Sequence, residues 1–374
     1  MSMITRTVAL TTILLMGLAP IALFSLPALS PSGKLTSVFD EMEGEEILEI
    51  TLEMDISYLL DNRREEEYKP AVLKYEVFGK GEVNRSVKVR LRGKFRRRVC
   101  AFPPLKLKFS EDELRKSGLD PVFKSLKLVT HCLDDKFMGN ENVLKEYLAY
   151  KLYSLLTDQA FRVQLVRITY LDTEGKGPTF KRYGFIIEDP DELASRLGGS
   201  ECEEGCLNPD TSRIVEKNAS VLNMFQFMIG NEDWDVMLMR NLKLIELHNS
   251  NKCLLVPYDF DFAGMVDASY AVPNADNGLR SVRDRIYLGI PVSDELIRWT
   301  VKMFQFKKDE VLEYVREFRP LSLSGRKEVK EYLLTFYDFL EKFDSGRVDD
   351  LSDRLKGQKL SYRSVSSSDS SSDM

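Results

Sequence analysis

Histidine is nearly missing from this chain: His131 and His248 are the only two in 374 residues. That nearly excludes a histidine-based catalytic triad or a histidine-rich metal centre. An excess of positive charge is missing as well. A net charge of −6 and a pI near 5.4 argue against a nucleic-acid-binding surface. The strongest basic cluster, Lys94-Phe95-Arg96-Arg97-Arg98, is local, and reads first as a solvated face and second as a phosphate contact. There is no G-x-G-x-x-G loop, no internal repeat, and no second Cys or His pair at zinc-ligand spacing. What is present is ordinary for a globular protein: 43% hydrophobic and 30% charged residues fit neither disorder nor a multi-span membrane protein.

Residues 1–30, with Arg6 followed by VALTTILLMGLAPIALFSLPALS, read as an export signal or an uncleaved N-terminal anchor. Ala28 and Ser30 suit a cleavage site, whereas Pro31 hinders cutting there. No Cys lies near the end of this stretch, which argues against lipid modification. The mature chain is expected to be exported: periplasmic, extracellular or at the cell surface. Export permits disulfides, and five cysteines leave at least one unpaired within the chain. Cys202 and Cys206, in the turn-rich GGSECEEGCLNPD, suit a local bridge. The tail at 361–374 is Ser-rich and acidic, a composition that predicts disorder.

Between these ends the hydrophobic period changes. ILEITLEMDI, VLKYEVFGKGEV and SVKVRLRG alternate as strands, with a turn at Gly79-Lys80-Gly81. In PLKLKF, Leu105, Leu107 and Phe109 face one way while Lys106 and Lys108 face the other, toward solvent or toward an anion. SLKLVTHCL is a further strand. NENVLKEYLAYKLYSLLTDQ follows as a helix, apolar on more than one side, with Glu146 off its leucine stripe. FRVQLVRITYLD and YGFIIED read as an antiparallel pair, and 190–212 as a long polar loop. From Ile214 onward helices dominate. A strand-rich half followed by a helix-rich half predicts two lobes with a site between them.

The boundary holds the densest chemistry, FQFMIGNEDWDVMLMRNLKLIELHNSNKCLLVPYDFDFAGM. The turn signal His248-Asn249-Ser250-Asn251 makes a hairpin of NLKLIEL and KCLLVPYDFDF. Pairing through that turn sets Asn241 opposite Tyr258 or Asp259. Read as strand positions, Asp259 and Asp261 leave one face, where carboxylates are costly to bury without a cation. Asn241, Asp259 and Asp261 at one hairpin end form an oxygen-donor set of the kind Mg²⁺ or Mn²⁺ takes.

Several stretches, in order, resemble one family: the spore-coat protein H (CotH) kinase-like proteins. They are VKVRLRGKFRRR, LKLKF, SLKLV, NVLKEYLAYKLY, RVQLVRITYLD, YGFIIED, and NEDWDVMLMRNLKL leading to VPYDFDF, over roughly 85–265. The resemblance implies an α+β, two-lobed atypical kinase-like fold at 36–349. Its strand-rich N-terminal lobe would span about 40–190 and its helix-rich C-terminal lobe about 213–349. It implies ATP with Mg²⁺ or Mn²⁺ as cofactors and a hydroxyl-bearing acceptor, protein being the first candidate. Asp233 would orient the acceptor hydroxyl, with Asp235 as its competitor. Asn241, Asp259 and Asp261 would hold metal, Lys106 or Lys108 with Arg92 the phosphates, Glu146 the lysine, and Glu188 would lie near the adenine segment. Phosphoryl transfer needs cations around the phosphates and a carboxylate at the nucleophile, which this set supplies. The alternatives are an inactive secreted binding protein on the same scaffold and, more weakly, a hydrolase or nucleotidyl transferase.

Overall fold

The computed structural model describes residues 35–44, 47–77, 79–177, 179–344, 355 and 358–360. The export segment at 1–30 and the Ser-rich tail at 361–374 lie outside the described residues. No helix among the described residues is long and apolar enough to cross a membrane.

The alternating segments form seven strands: β1 (Leu48–Met54), β2 (Lys69–Val77), β3 (Gly81–Leu91), β4 (Leu105–Phe109), β5 (Ser125–Val129), β6 (Val163–Asp172) and β7 (Phe180–Ile187). They close into a barrel in the order β1-β2-β3-β4-β5-β7-β6. The closing pair is the parallel one, β1 on β6, with Leu48 opposite Val166 and Met54 opposite Asp172. The other neighbours are antiparallel. This closure overturns the two-lobed kinase-like fold expected from the sequence. The strands assigned to a strand-rich N-terminal lobe instead close on themselves and leave no unpaired edge in the barrel. Alternation fixes which side chains point inward, and says nothing about whether the first and sixth strands meet.

The barrel interior is filled by Leu52, Leu73, Val89, Leu105, Leu107, Leu126, Leu128, Ile168 and Tyr170. One wall is buried on both faces: Val129, Val163, Leu165, Phe185 and Ile187 point outward into a second core. That core is built by the later helices, while short early ones seal the barrel core through Val38, Phe39, Met42, Ile56, Leu59 and Leu114. In chain order the helices are α1 (Val38–Met42), α2 (Ile56–Asp61), α3 (Arg96–Val99), α4 (Glu111–Lys116), α5 (Lys136–Leu156), α6 (Pro190–Arg196), α7 (Glu216–Ile229), α8 (Asp294–Phe306), α9 (Lys308–Glu317) and α10 (Leu323–Asp344). Helix α5 is buried nearly all round from Val143 to Tyr153, as its tyrosine-rich composition predicts. It lies between the barrel wall and the remaining helices.

A three-stranded sheet, β8 (Gly199–Glu201), β9 (Leu242–Leu247) and β10 (Cys253–Pro257), stands against this core, and a short pair, β11 (Arg285–Ile286) with β12 (Lys359–Leu360), completes the sheets among the described residues. The presence of α6 and β8 corrects the long loop read at 190–212. Asp189 caps α6 by accepting from the Asp191 amide, and Pro190 sits at the first turn, where its missing N–H costs nothing. Cys202 and Cys206 are bridged, as their spacing suggests, and a second disulfide joins Cys100 to Cys132, tying the chain after α3 to the chain after β5. Cys253 is free and buried.

Candidate functional site

The hairpin is the frame of the site. β9 and β10 pair with Leu242 opposite Pro257, and the Tyr258 amide donates to the Asn241 carbonyl at 3.1 Å. Asn241 therefore faces Tyr258, one of the two registers that the turn signal allows. Beyond Pro257 the strand ends. Asp259 has φ +65°, while Asn241 and Met239 on the opposite arm have φ +54° and +48°. Left-handed backbone at three non-glycine residues around one hairpin end is the kind of strain that gathers at functional sites. It also changes how Asp259 and Asp261 converge: they meet through a turn, not through strand alternation.

The cation that meets them is Arg96, at the start of α3. Its Nη2 donates to Glu146 Oε1 at 2.9 Å and to Asp259 Oδ1 at 2.6 Å, and its Nε lies 2.8 Å from Asp261 Oδ2. Glu146, Asp259 and Asp261 each bring a carboxylate oxygen within 4.8 Å of the others. Arg96, Glu146 and Asp261 are buried, while the Asp259 side chain is 32% exposed and forms the open edge. The rings of Phe95, Phe262 and Tyr270 pack against one another with centroids 5.3–6.4 Å apart beside this group. The Asp259 amide donates to Tyr150 Oη at 2.8 Å, which fixes the turn to α5.

One guanidinium faces three carboxylates, so the cluster carries surplus negative charge. Burial pushes Glu146 up to about 8, opposed by Arg96 and assisted by Asp261 and Asp259. Burial likewise pushes Asp261 up to about 6 against the pull of Arg96. Both groups hold protons more tightly folded than unfolded. Their contribution to stability is therefore complete below about pH 4 and is lost as pH rises through about 6 and then about 8. In metal-free buffer, chemical denaturation is expected to show falling stability from pH 5 to pH 8.5. Glu146→Gln should flatten the upper part of that decline, and an unchanged slope in that variant would remove the assignment.

The donor set fits a hard divalent cation: carboxylate oxygens, excess negative charge, and one partly open ligand. Arg96 engages one oxygen of each carboxylate and would have to share them. Asn241 stands differently from the expected metal ligand. Its Nδ2 donates to the Asp233 carbonyl at 2.6 Å and to Asp233 Oδ2 at 2.9 Å, so it holds Asp233 in place. Arg240 approaches Asp233 at 3.5 Å. Burial raises the Asp233 pKa, with Asp259 adding to it and Arg240 opposing. Asp235 turns its Oδ1 to the Leu238 amide at 2.7 Å, a local cap. Trp234 between the two is 3% exposed.

Facing this end of the hairpin is a group of cations on the outer wall of the barrel. Strand pairing sets Arg90 opposite Lys106 and Lys106 opposite Lys127. Like charges in cross-strand register destabilise a sheet unless an anion answers them. Lys106, Lys127 and Lys243 line a polar cavity of about 370 Å³ together with Ser125 and four acidic residues, Asp189, Asp191, Glu201 and Glu203. Lys243 pairs with Glu201. The Lys127 ammonium instead lies over rings, 4.8 Å from the Tyr258 centroid and 5.6 Å from that of Phe161. Burial lowers its pKa to about 7, and Arg92 and Lys243 lower it further. Arg92 also acts on Tyr150 and Tyr258, the residues flanking Asp259, so cations and carboxylates share one neighbourhood.

Among the residues named from the sequence, Lys106 reaches this cavity, whereas Lys108 is exposed and lies over the Tyr68 ring at 5.6 Å. Glu146, expected beside a lysine, is beside Arg96 instead, and its neighbour Lys145 pairs with Glu328 at 2.8 Å. Glu188 is fully buried, with its oxygens held by Arg162 and Arg196. Arg96 and Lys127 were missed as site residues. Arg96 lies inside the basic run, and Lys127 is the middle residue of SLKLV, a position that alternation already turns away from the barrel interior.

No protein-family model matches the chain, and no curated protein matches it. The resemblance to the CotH kinase-like proteins therefore rests on the ordered stretches themselves.

Proposed function

We propose that this is an exported, metal-dependent phosphotransferase that moves phosphate from a nucleotide such as ATP to a hydroxyl acceptor. The observation that carries the reading is the juxtaposition of two sets at one hairpin end. Arg92, Lys106 and Lys127 form no ion pair among the described residues, and beside them stands the negatively charged cluster of Glu146, Asp259 and Asp261. Unpaired cations beside surplus carboxylates suit a phosphate chain that brings its own negative charge and a metal. Two disulfides among the described residues support an oxidising compartment.

Glu146, Asp259 and Asp261 would hold Mg²⁺ or Mn²⁺, which when bound neutralises phosphate charge. Lys106, Lys127 and Arg92 would neutralise the remaining phosphate oxygens. Asp233, held by the Asn241 amide, would accept the acceptor's proton. The hydroxyl oxygen forms a bond to the terminal phosphorus, the bond from that phosphorus to the nucleoside diphosphate breaks, and the proton passes to the Asp233 carboxylate. Its raised pKa brings it nearer to that of an effective base.

One observation favours the second reading, a secreted binding protein with an inert cluster: Arg96 already gives each of the three carboxylates a cationic neighbour. Terminal-phosphate release or transfer from ATP, followed with Mn²⁺ present and absent, separates the two. Metal-dependent turnover lost by at least about 100-fold in Asp233→Ala, a loss in the range attributed to a positioned acid or base, supports the phosphotransferase. Turnover equal in both proteins contradicts the role of Asp233, and its absence from wild type with every acceptor tried favours the binding protein.

A further inference from the structure

A polar cleft of about 240 Å³ adjoins Asp233 on the side away from the lysine cavity, with which it shares no lining residue. Asp233 stands between two of its lining residues, Glu232 and Trp234. A third, Arg240, approaches the Asp233 carboxylate at 3.5 Å. Asn274, Asn277 and Leu288 line it from the segment around β11. Glu232 fastens that segment to the Asp233 loop, accepting from the Asn274 amide at 2.5 Å and from Asn277 Nδ2 at 2.8 Å. A cleft beside the base, separate from the cations assigned to phosphate, is where an acceptor hydroxyl has to be presented.

The chain itself passes this cleft a second time. In β12, Lys359 pairs with Ile286 and Leu360 with Arg285, and the Tyr287 amide donates to the Gln358 carbonyl at 3.0 Å. Lys359 also lies against Gly278, the neighbour of Asn277: a Cβ there would stand 3.0 Å from Lys359 Nζ. Arg285 binds β11 to the end of α7, its Nε donating to the Met228 carbonyl at 3.1 Å. A Cβ at Gly230 would lie 3.4 Å from Arg285 Cγ. From Leu360 the path to Asp233 is thus one strand pairing, one contact between Arg285 and Gly230, and three residues. That path is at most about 25 Å, and eight extended residues span about 26–29 Å. Every serine from Ser368 onward therefore has the reach, whatever course the chain takes.

The segment 361–374, SYRSVSSSDSSSDM, lies outside the described residues, and eight of its residues are serine. We infer that these serines are the chain's own phosphate acceptors, entering the cleft beside Asp233; the inference rests on the phosphotransferase reading above. The serine Oγ forms a bond to the terminal phosphorus of ATP and the bond from that phosphorus to ADP breaks. The serine proton passes to the Asp233 carboxylate, and the products are phosphoserine and ADP. Arg240, with its side chain 43% exposed, is the cation at the cleft and suits the carboxylates of Asp369 and Asp373 that punctuate the serines. Tethering also explains how so small a cleft could suffice. A short tether holds the acceptor at an effective concentration of about millimolar, so little binding energy is needed from the cleft itself.

The test is incubation of the full chain with ATP and Mn²⁺, followed by intact-mass and peptide mass spectrometry. Phosphate is expected on serines of 361–374, at a rate per chain that tenfold dilution leaves unchanged. Asp233→Ala should slow it by at least about 100-fold. A chain with all eight tail serines replaced by alanine should take up none there, yet still phosphorylate a synthetic 361–374 peptide added in solution. ATP turnover without phosphate on the tail would overturn the inference and leave the phosphotransferase reading standing. Tail phosphorylation whose rate per chain falls on dilution would overturn it as well, since the acceptor would then belong to another copy. No turnover of ATP with any acceptor, the added peptide included, would remove both.

Discussion

Replacing Arg96 with methionine is expected to destabilise the chain by about 3–5 kcal/mol at pH 8 in metal-free buffer, the range for removing one partner from a buried ion pair. Three carboxylates lose their cation at once, and two of them are buried. The loss should shrink toward pH 5, where Glu146 and Asp261, raised to about 8 and about 6, can take up protons instead. Denaturant titration at the two pH values measures this difference. A divalent cation supplies a second test in the same experiment. If the cluster accepts metal, millimolar Mn²⁺ should restore stability to the methionine variant and raise wild type less, since Arg96 no longer competes. Mn²⁺ stabilising neither protein would leave Arg96 as a purely structural clamp between α3, α5 and the hairpin.

The second large effect concerns Lys127, and here binding and stability should move apart. Lys127→Met is expected to weaken nucleotide binding by about 10–100-fold, equivalent to one charge-assisted hydrogen bond of about 1.5–3 kcal/mol. Folding should not suffer, because the ammonium sits over rings without a carboxylate partner. The folded pKa of about 7 lies below the ordinary lysine value of 10.5, so between these limits the unfolded chain binds more protons. Wild-type stability should therefore gain a rising component from pH 7 to above pH 10, and Lys127→Met should lack it. Unchanged nucleotide affinity in the variant would remove the phosphate role. A large loss of stability would instead make Lys127 a structural residue.

Much of this site was legible, and the exceptions have physical reasons. The turn at His248–Asn251 sets the hairpin to within one residue, because a period-2 strand permits few registers once the turn is placed. Strands β2 and β3 and helix α5 follow from their own periodicities. Closure of the barrel was out of reach: β1 and β6 pair in parallel across a long separation, and alternation does not name a partner. Helix α6 could have been found, since Asp189, Pro190, Asp191 and Glu192 carry the cap, the first-turn proline and the acidic first turn. Arg96 could not, since four basic residues within five positions read as a solvated face. Only its position after β3 takes that one side chain inward, while Arg98 beside it stays exposed. Asp259 was placed correctly at the hairpin end, but its left-handed backbone has no sequence signal of the kind glycine gives.

The claim on which the account turns is that cations and carboxylates at one hairpin end form a joint site for metal and nucleotide. Calorimetric titration of the full chain with ATP, in Mn²⁺ and in chelator, tests it without knowledge of the acceptor. The account predicts saturable binding near one equivalent with Mn²⁺, at least tenfold weaker binding in chelator, and loss of that metal dependence in Asp259→Asn. Asp259 is the partly open member of the cluster, so this variant should remain folded. Heat of binding that is indifferent to Mn²⁺, or an Asp259→Asn protein that binds Mn²⁺-ATP like wild type, would contradict it.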